Sequence, residues 1–380
     1  MSMLFPEPSV SFTRPLAKLE PHVVWLQHST RPDAVAARAR VNAWYRDFPD
    51  PQDKLAAKLV STDNEVLYGA LDELYVHHVL RKVEPDVRYE EGGQGPDFRV
   101  YRAGQQILAV EVLSLFLRAD WASEERRHGE LTDRLNKRFR RQGYILHAEV
   151  LQQEQGRNLP LKELTEAAGA FLQDLPPPNV TTAASSSGQP LYETDFIRDG
   201  IHVRFEARPM KPNAASLTNP NARIVGTGPL IGGLINSDQR LKDRLNAKRK
   251  KRYSLDPTVP FILVVSNHDP FCDDLELLLA VYGWDWEAMV GKRPPLWHQQ
   301  PQFGGFFGIG QDERPYHTRF AVVAVVGGSM PWYDPTGTQW LVFDNPHGRV
   351  RLPDGLLPAT HRFQALSGSC WGWTPARPLP

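Results

Sequence analysis

The stretch from Glu91 to Ser114, EGGQGPDFRVYRAGQQILAVEVLS, has the pattern of a β-hairpin. Residues 98–101 (FRVY) favour a first strand because aromatic and β-branched side chains are enriched in strands. Ala103-Gly104 supplies the turn, and the run from Ile107 to Leu113 predicts a second, more apolar strand. We expect the rest of the chain to be arranged around this hairpin.

Each arm of the hairpin carries one carboxylate, Asp97 directly after a Gly-Pro and Glu111 between Val110 and Val112. A carboxylate in such an apolar run is costly to bury unless it is paired, hydrogen-bonded or bound to a metal. A hairpin can bring the two acids together, and hard cations prefer oxygen ligands. The pattern therefore predicts a metal site built from Asp97 and Glu111.

Pro96-Asp97, the spacing to Glu111 and the strand–turn–strand around them resemble the PD-(D/E)XK nuclease superfamily, which has the restriction-endonuclease-like fold. The resemblance covers roughly residues 64–150. It implies that Asp97 and Glu111 bind Mg²⁺, with Mn²⁺ as an alternative, and that the backbone carbonyl of Val112 completes the coordination shell. The function it implies is metal-dependent hydrolysis of phosphodiester bonds in DNA.

In that superfamily a lysine two residues after the glutamate positions or activates water, whereas this chain has Leu113 there. Three explanations are open. A lysine on another element takes the role, with Lys248 and Lys251 as candidates by chemistry; the metal suffices alone; or the domain has lost catalysis. The third explanation gives the alternative function, a catalytically inactive nucleic-acid-binding or protein-interaction module on the same fold.

The segments around the hairpin extend the resemblance. Residues 64–82 predict an amphipathic helix, residues 86–89 a first strand, residues 119–142 a charged helix and residues 144–150 a further strand. This αβββαβ order is that of the resembled core, and a helical crossover implies a parallel strand. We therefore expect an α/β fold: a mixed central sheet with flanking helices, a restriction-endonuclease-like core and a C-terminal α/β extension.

The predicted helix at residues 64–82 carries two polar residues of interest, Glu73 and His77. In the resembled superfamily such a helix often carries a glutamate aimed at the metal, and Glu73 fits that place as a third ligand or as a group that orients water. The alternative for Glu73 is a solvated position on the helix surface. His77, one turn further on, is expected to be partly exposed.

The most basic segment runs from Ser237 to Tyr253 and reads as a helix with a thin apolar side formed by Leu241 and Leu245. Its cations can bind nucleic-acid phosphates, with an affinity that falls as salt rises. The alternative is a solvated helix whose late cations favour the helix dipole. The candidate nucleic-acid contacts are Lys248, Arg249, Lys250, Lys251 and Arg252.

Composition sets the limits of these expectations. The formal net charge is zero, so only a local basic surface could favour nucleic acid. Two cysteines cannot make a disulfide framework, which indicates a cytoplasmic location. The start of the chain lacks the pattern of a signal peptide, and no apolar run is long enough to span a membrane. The sequence carries no signal for oligomeric state.

We expect three segments: residues 1–62 as an irregular and helical start, residues 63–155 as the nuclease-like core, and residues 156–380 as the C-terminal extension, packed on the same sheet or separate from it. Residues 259–266 (VPFILVVS) predict a fully buried strand. The acids after it, Asp269, Asp273 and Asp274, are interpreted as helix caps and dipole partners rather than as a metal cluster with His268.

Overall fold

The computed structural model describes residues 3–91, 95–116, 119–139, 144–154, 157–176, 192–209, 225–227, 237–249, 253–270, 272–283, 286–289, 296–299, 305–309, 314–367 and 370–375. The chain divides into two compact units. The first comprises residues 1–9, 26–117 and 235–380, and the second comprises residues 10–25 and 118–234. The second unit therefore interrupts the first in the sequence, which differs from the three consecutive segments expected above.

The helices within the described residues are α1 (His22–His28), α2 (Pro32–Arg46), α3 (Lys54–Leu59), α4 (Asn64–Val83), α5 (Ala119–Arg138), α6 (Leu161–Asp174), α7 (Ser237–Arg249) and α8 (Asp274–Tyr282). The strands are β1 (Asp86–Tyr89), β2 (Phe98–Arg102), β3 (Gln105–Leu115), β4 (Tyr144–Gln153), β5 (Tyr192–Arg198), β6 (Ile201–Pro209), β7 (Val225–Thr227), β8 (Phe261–Asn267), β9 (Trp286–Met289), β10 (Leu296–Gln299), β11 (Phe320–Gly328), β12 (Thr338–Asp344), β13 (His361–Ser367) and β14 (Cys370–Pro375). Among the described residues, no helix has the combined length and apolar character to cross a bilayer.

The hairpin predicted from the sequence is present as β2 and β3. Its turn residues have left-handed backbone, with φ of 49° at Ala103 and 80° at Gly104. Such a two-residue turn matches the twist of the flanking strands, and glycine adopts this conformation without steric cost. The strands pair antiparallel, with Phe98 opposite Val110. The first unit thus begins its sheet with the meander β1-β2-β3.

The first unit is built on one mixed sheet with the strand order β1-β2-β3-β8-β11-β12-β13-β14-β10-β9. The strands β3, β8 and β11 are parallel neighbours, and β12 returns antiparallel to β11. All of β8 except its last residue is buried, as a central strand covered on both faces requires. The mixed α/β architecture expected from the sequence is therefore confirmed.

The position of the crossover corrects one expectation. The sequence pattern placed the parallel strand at residues 144–150, directly after the helix at 119–142. In the structure that strand is β4, which belongs to a separate sheet with the order β5-β6-β4-β7. The parallel neighbour of β3 is β8, and α7 precedes β8 in the chain. In the first unit, the helix between β3 and its parallel neighbour β8 in the chain is thus α7.

The second unit has a core of its own. Its sheet buries alternate side chains, as β6 shows with Ile201, Val203 and Phe205 inside. Two leucines of the charged helix α5, Leu131 and Leu135, are fully buried in the same cluster. An independent core explains why residues 118–234 can interrupt the first unit without contributing a strand to its sheet.

Candidate functional site

The candidate site begins at the start of β2. With Phe98 opposite Val110, one further step of the register sets Asp97 across from Glu111. Side chains of directly opposed residues in an antiparallel pair lie on the same face of the sheet. The Oδ2 atom of Asp97 accepts a 2.6 Å hydrogen bond from the backbone N–H of Val112. The hairpin therefore brings the two predicted acids to the same region, as the sequence analysis expected.

Glu111 is completely buried in the middle of β3. A buried carboxylate of this kind must be compensated, and the compensation comes from α7. The Lys248 ammonium lies 2.7 Å from Glu111 Oε1 and also donates to the backbone carbonyl of Val112 at 2.8 Å. One cation thus contacts two of the oxygens that the sequence analysis assigned to a metal.

The local sequence explains why Lys248 points inward. Leu241 and Leu245 are fully buried against the sheet. Lys248 comes three residues after Leu245, which itself comes four residues after Leu241, so all three side chains lie on one face of the helix. Its long aliphatic stem runs along the buried face while its side chain remains 20% exposed. The ammonium therefore reaches Glu111 from the edge of the core.

The charges around Asp97 determine its protonation. Burial and the neighbouring Glu111 raise the pKa of the Asp97 carboxyl to about 7, and Glu73 acts in the same direction. Lys248 and the Val112 N–H oppose this rise because they stabilise the ionised form. A carboxyl group whose pKa lies near 7 because a second acid is close by is a recurrent property of catalytic and cation-binding sites.

Tyr253 is a member of this cluster that the sequence analysis missed. Burial and the neighbouring carboxylates of Glu111 and Asp97 raise the pKa of its hydroxyl well above the ordinary value. Its ring packs edge-on against Phe261 at 5.9 Å. Tyr253 comes shortly after α7, so one short segment brings both Lys248 and Tyr253 to Glu111. A single tyrosine after a basic run carries no sequence signal of its own.

Glu73 is bound by other groups. Its Oε2 accepts a 2.6 Å hydrogen bond from the Tyr89 hydroxyl, and its Oε1 lies 3.2 Å from the Lys58 ammonium. It lies close enough to Asp97 to raise the pKa of that carboxyl. Glu73 thus contributes charge to the site while both of its oxygens have protein partners. His77, expected to be partly exposed, is 1% exposed and packs against Phe48.

The cations of the basic segment at residues 237–253 do not share one environment. Lys248 turns to Glu111, and Arg240 of the same helix forms a 2.9 Å ion pair with the buried Asp269. Arg249 closes α7, whereas Lys250, Lys251 and Arg252 lie outside the described residues. At least two cations of this helix therefore compensate acids of the first unit, rather than forming a purely solvated face.

The acids after β8 also have distinct environments. Asp273 caps α8 by accepting from the backbone N–H groups of Leu275 and Glu276, as predicted. The interpretation of Asp269 as a cap is wrong, because its carboxylate accepts from Ser237 at 2.8 Å and from Arg240. It is an acceptor for the start of α7 instead.

Near these residues, His268 is paired with an acid of α4. Its Nε2 atom lies 2.8 Å from Asp72 Oδ2, which also accepts from the Ser114 hydroxyl at 2.5 Å. Burial lowers the pKa of His268, but Asp72 more than offsets this effect, so the pKa is raised overall. Ser114 and Glu111 are an odd number of residues apart on β3, so their side chains lie on opposite faces of the sheet. The Asp72–His268 pair is therefore separate from the Glu111 cluster.

The donor set suits a hard cation. It combines two carboxylates with one main-chain carbonyl, all oxygen ligands of the type that Mg²⁺ and Mn²⁺ bind. Glu111 Oε1 and Val112 O already converge on one cationic nitrogen, which shows that both can face the same charge. Within the described residues, no group of three or more His, Cys, Asp or Glu side chains is arranged to hold a metal. A metal here would depend on the carbonyl and on water for its remaining ligands.

No protein-family model, curated protein or solved structure matches this chain.

Proposed function

We propose that this protein is a divergent metal-dependent nuclease with a restriction-endonuclease-like core, which hydrolyses phosphodiester bonds in DNA. The observation that carries the proposal is the convergence of Asp97, Glu111 and Lys248 from three elements. The core consists of α4, the meander β1-β2-β3, the crossover helix α7 and β8, with residues 118–234 as an insertion. This order supports the αβββαβ core that the resemblance implies.

Lys248 is the candidate for the role that Leu113 cannot fill. It approaches Glu111 from α7, so the cation reaches the acids from a helix rather than from the same strand. This observation favours the first of the three explanations, a lysine on another element. Lys251, the second candidate, lies outside the described residues.

Each residue of the site has its own role in the proposed hydrolysis. Asp97, Glu111 and the Val112 carbonyl would hold the ion. A bound Mg²⁺ or Mn²⁺ supplies charge that lowers the pKa of a coordinated water and offsets charge on the phosphate. Lys248 supplies a second positive charge from α7, which can orient water or contact a phosphate oxygen. Glu73, held by Tyr89 and Lys58, adds negative charge that favours cation binding.

Cleavage assays test the proposal. Plasmid and single-stranded DNA are incubated with the purified chain and Mg²⁺ or Mn²⁺, beside Asp97→Asn, Glu111→Gln and Lys248→Met. We expect cleavage by the wild type that chelation abolishes, and a loss of at least about 100-fold in each variant. Arg244→Met is the matched control, because Arg244 is exposed on the same helix and its loss leaves the acids paired. Cleavage that survives both Asp97→Asn and Glu111→Gln would place the activity elsewhere or in a contaminant.

One observation favours the second candidate function, a catalytically inactive nucleic-acid-binding or protein-interaction module. Glu111 is completely buried and already paired with a cation, as in a purely structural ion pair. Under this function the chain binds DNA with a steep salt dependence and does not cleave it, and Lys248→Met affects stability alone. A cytoplasmic setting fits both candidates, since Cys272 is a buried free thiol.

A further inference from the structure

The Lys248 ammonium contacts two different oxygens of β3 at once. It lies 2.7 Å from Glu111 Oε1 and 2.8 Å from the Val112 carbonyl oxygen. These are two of the three oxygens that the proposed function assigns to a divalent ion. An ion at bonding distance of about 2.0–2.2 Å from both would lie within contact distance of the nitrogen, where two cations repel strongly.

The remaining oxygens offer no equivalent alternative. Asp97 Oδ2 is engaged by the Val112 N–H, and the second Glu111 oxygen, Oε2, is buried beside the Tyr253 side chain. A divalent ion that took its position beside these groups while Lys248 stayed in place would have to give up Glu111 Oε1 and the Val112 carbonyl. That would leave Asp97 and the second Glu111 oxygen, Oε2, as its protein ligands, a smaller donor set than the one that includes the Val112 carbonyl.

We propose that Lys248 is an internal cation that holds the metal site closed, and that binding of one divalent ion displaces its ammonium from Glu111 and the Val112 carbonyl. The inference rests on the proposed function, because it takes the same acids as metal ligands. It adds a regulatory property: the ion and the lysine exclude one another at β3, and ion binding sets Lys248 free to face a substrate phosphate.

The position of Lys248 allows this exchange. It lies in the last turn of α7, one residue before the helix ends, and its side chain is already 20% exposed. Lysine has four rotatable side-chain bonds and a strongly hydrated ammonium, so it can leave for solvent without backbone movement. Leu241 and Leu245, buried in the earlier turns of α7, keep the helix docked while the lysine moves.

The first experiment uses the wild-type chain and measures the accessibility of Lys248. The protein is briefly acetylated with an N-hydroxysuccinimide ester, with and without saturating Mn²⁺, at constant ionic strength. Peptide mass spectrometry then gives the acetylation rate of each lysine. We expect the rate at Lys248 to rise at least about threefold with Mn²⁺, because the amine leaves its hydrogen bonds. Lys54, 58% exposed and paired with Glu90, is the control whose rate stays constant.

The second experiment measures Mn²⁺ affinity by calorimetry at pH 9, where competition from protons is reduced. Displacement predicts that Lys248→Met binds Mn²⁺ at least about tenfold more tightly than the wild type, because the competing cation is gone. Lys248→Arg retains the charge and stays near the wild type or weaker. Arg244→Met removes an exposed cation from the same helix and leaves the affinity within about twofold.

The outcomes separate the two proposals. If the wild type binds Mn²⁺ but acetylation of Lys248 is unchanged, or Lys248→Met binds no more tightly, then displacement is refuted and the nuclease proposal stands. If neither the wild type nor Lys248→Met binds Mn²⁺ or Mg²⁺, then the metal site itself is refuted, and both proposals are overturned.

Discussion

Lys248 and Glu111 form a 2.7 Å ion pair although 137 residues separate them in the sequence. The pair joins the last turn of a helix to the centre of a buried strand, across the point where residues 118–234 interrupt the first unit. Glu111 has no exposed surface, so its charge must be offset by protein groups or by a bound ion. The stability of the core and the chemistry of the site therefore depend on the same two residues.

Breaking this pair should destabilise the metal-free protein. Lys248→Met leaves Glu111 buried and without its ammonium, so we expect the free energy of unfolding to fall by about 2–4 kcal/mol at pH 7. Urea denaturation in the presence of a chelator measures the change. The matched variant Glu111→Gln combined with Lys248→Met removes both charges and should recover at least half of the loss. A double variant less stable than Lys248→Met would contradict a compensating role for the lysine.

Asp97 should make stability fall as the pH rises. Its pKa is about 7 in the folded chain and about 3.8 when unfolded, so between these values the folded state binds more protons. Stability from the neutral form is complete below pH 4 and is lost as the pH rises through 7. Asp97→Asn keeps the acceptor for the Val112 N–H and cannot ionise. We expect the variant to become more stable than the wild type by roughly 1–3 kcal/mol at pH 8 in metal-free buffer.

The same titration predicts proton-linked metal binding. An ion held by Asp97 requires the ionised carboxylate, so Mn²⁺ affinity should rise by up to about tenfold per pH unit below pH 7 and level off above it. Calorimetry in buffers of different ionisation enthalpy measures the protons released. Glu73→Gln, which removes a charge that raises the pKa of Asp97, should move the levelling-off to lower pH. A pH-independent affinity would exclude Asp97 as a ligand.

In the pair of His268 and Asp72, the protonated form of the titrating residue is the charged one, whereas protonated Asp97 is neutral. The pKa of His268 is raised above its unfolded value of 6.5, so the stability from this pair is complete below pH 6.5 and is lost as the pH rises through the folded value. Asp72→Asn should cost about 1–3 kcal/mol at pH 6 and less at pH 9. Ser114→Ala removes only the 2.5 Å hydrogen bond to Asp72 and should leave the pH dependence unchanged.

Two adjacent glycines at the end of β11 provide a matched test of the sheet. Gly328 has φ of 82°, and a Cβ built on it would lie 2.3 Å from the Gly337 carbonyl oxygen. Gly328→Ala should therefore destabilise the protein by about 2–4 kcal/mol, because strain and a backbone clash act together. A Cβ on Gly327 meets nothing within 4 Å, so Gly327→Ala should change stability by less than about 1 kcal/mol. Thermal unfolding of the two variants compares them directly.

The hairpin and its acids could be predicted because their signals are local. Alternating apolar residues, the Ala103-Gly104 turn and the spacing from Asp97 to Glu111 all lie within one short stretch. The boundaries of β1 and the start of α4 follow from the same local rules. The two-residue turn by itself would pair Asp97 with Val110. A β-bulge between Val100 and Tyr101 shifts the register by one residue and sets Asp97 across from Glu111, and the sequence pattern does not predict that shift.

The parallel neighbour of β3 was misassigned because two helix–strand pairs fit the crossover. Residues 144–150 follow the hairpin first, and hydrophobic period alone does not say which sheet a strand joins. The burial of the two strands does distinguish them. The strand β8 begins with five apolar residues and is buried up to its last residue, whereas β4 alternates between buried and more exposed residues, with Ile145 48% exposed. A central parallel strand requires the first pattern.

The sequence offered Lys248 as a candidate lysine but did not predict that it pairs with Glu111. Lys248 continues the spacing of Leu241 and Leu245, which is a signal for an inward side chain, but the abundance of cations around it favoured a solvated face. Tyr253 and the pairing of Glu73 with Tyr89 depend on tertiary packing and have no pattern in the sequence. Such contacts are set by the arrangement of whole elements rather than by local spacing.

The interruption of the first unit has a consequence for the protein as it is synthesised. When β3 leaves the ribosome, the residues that neutralise Glu111 have not yet been translated. At ordinary elongation rates the delay is on the order of ten seconds. Throughout that interval the nascent sheet lacks both its central strand and its balancing ammonium, whereas residues 118–234 are complete first and can acquire a core of their own. Maturation of the acidic cluster is thus timed by ribosome progress through the intervening segment.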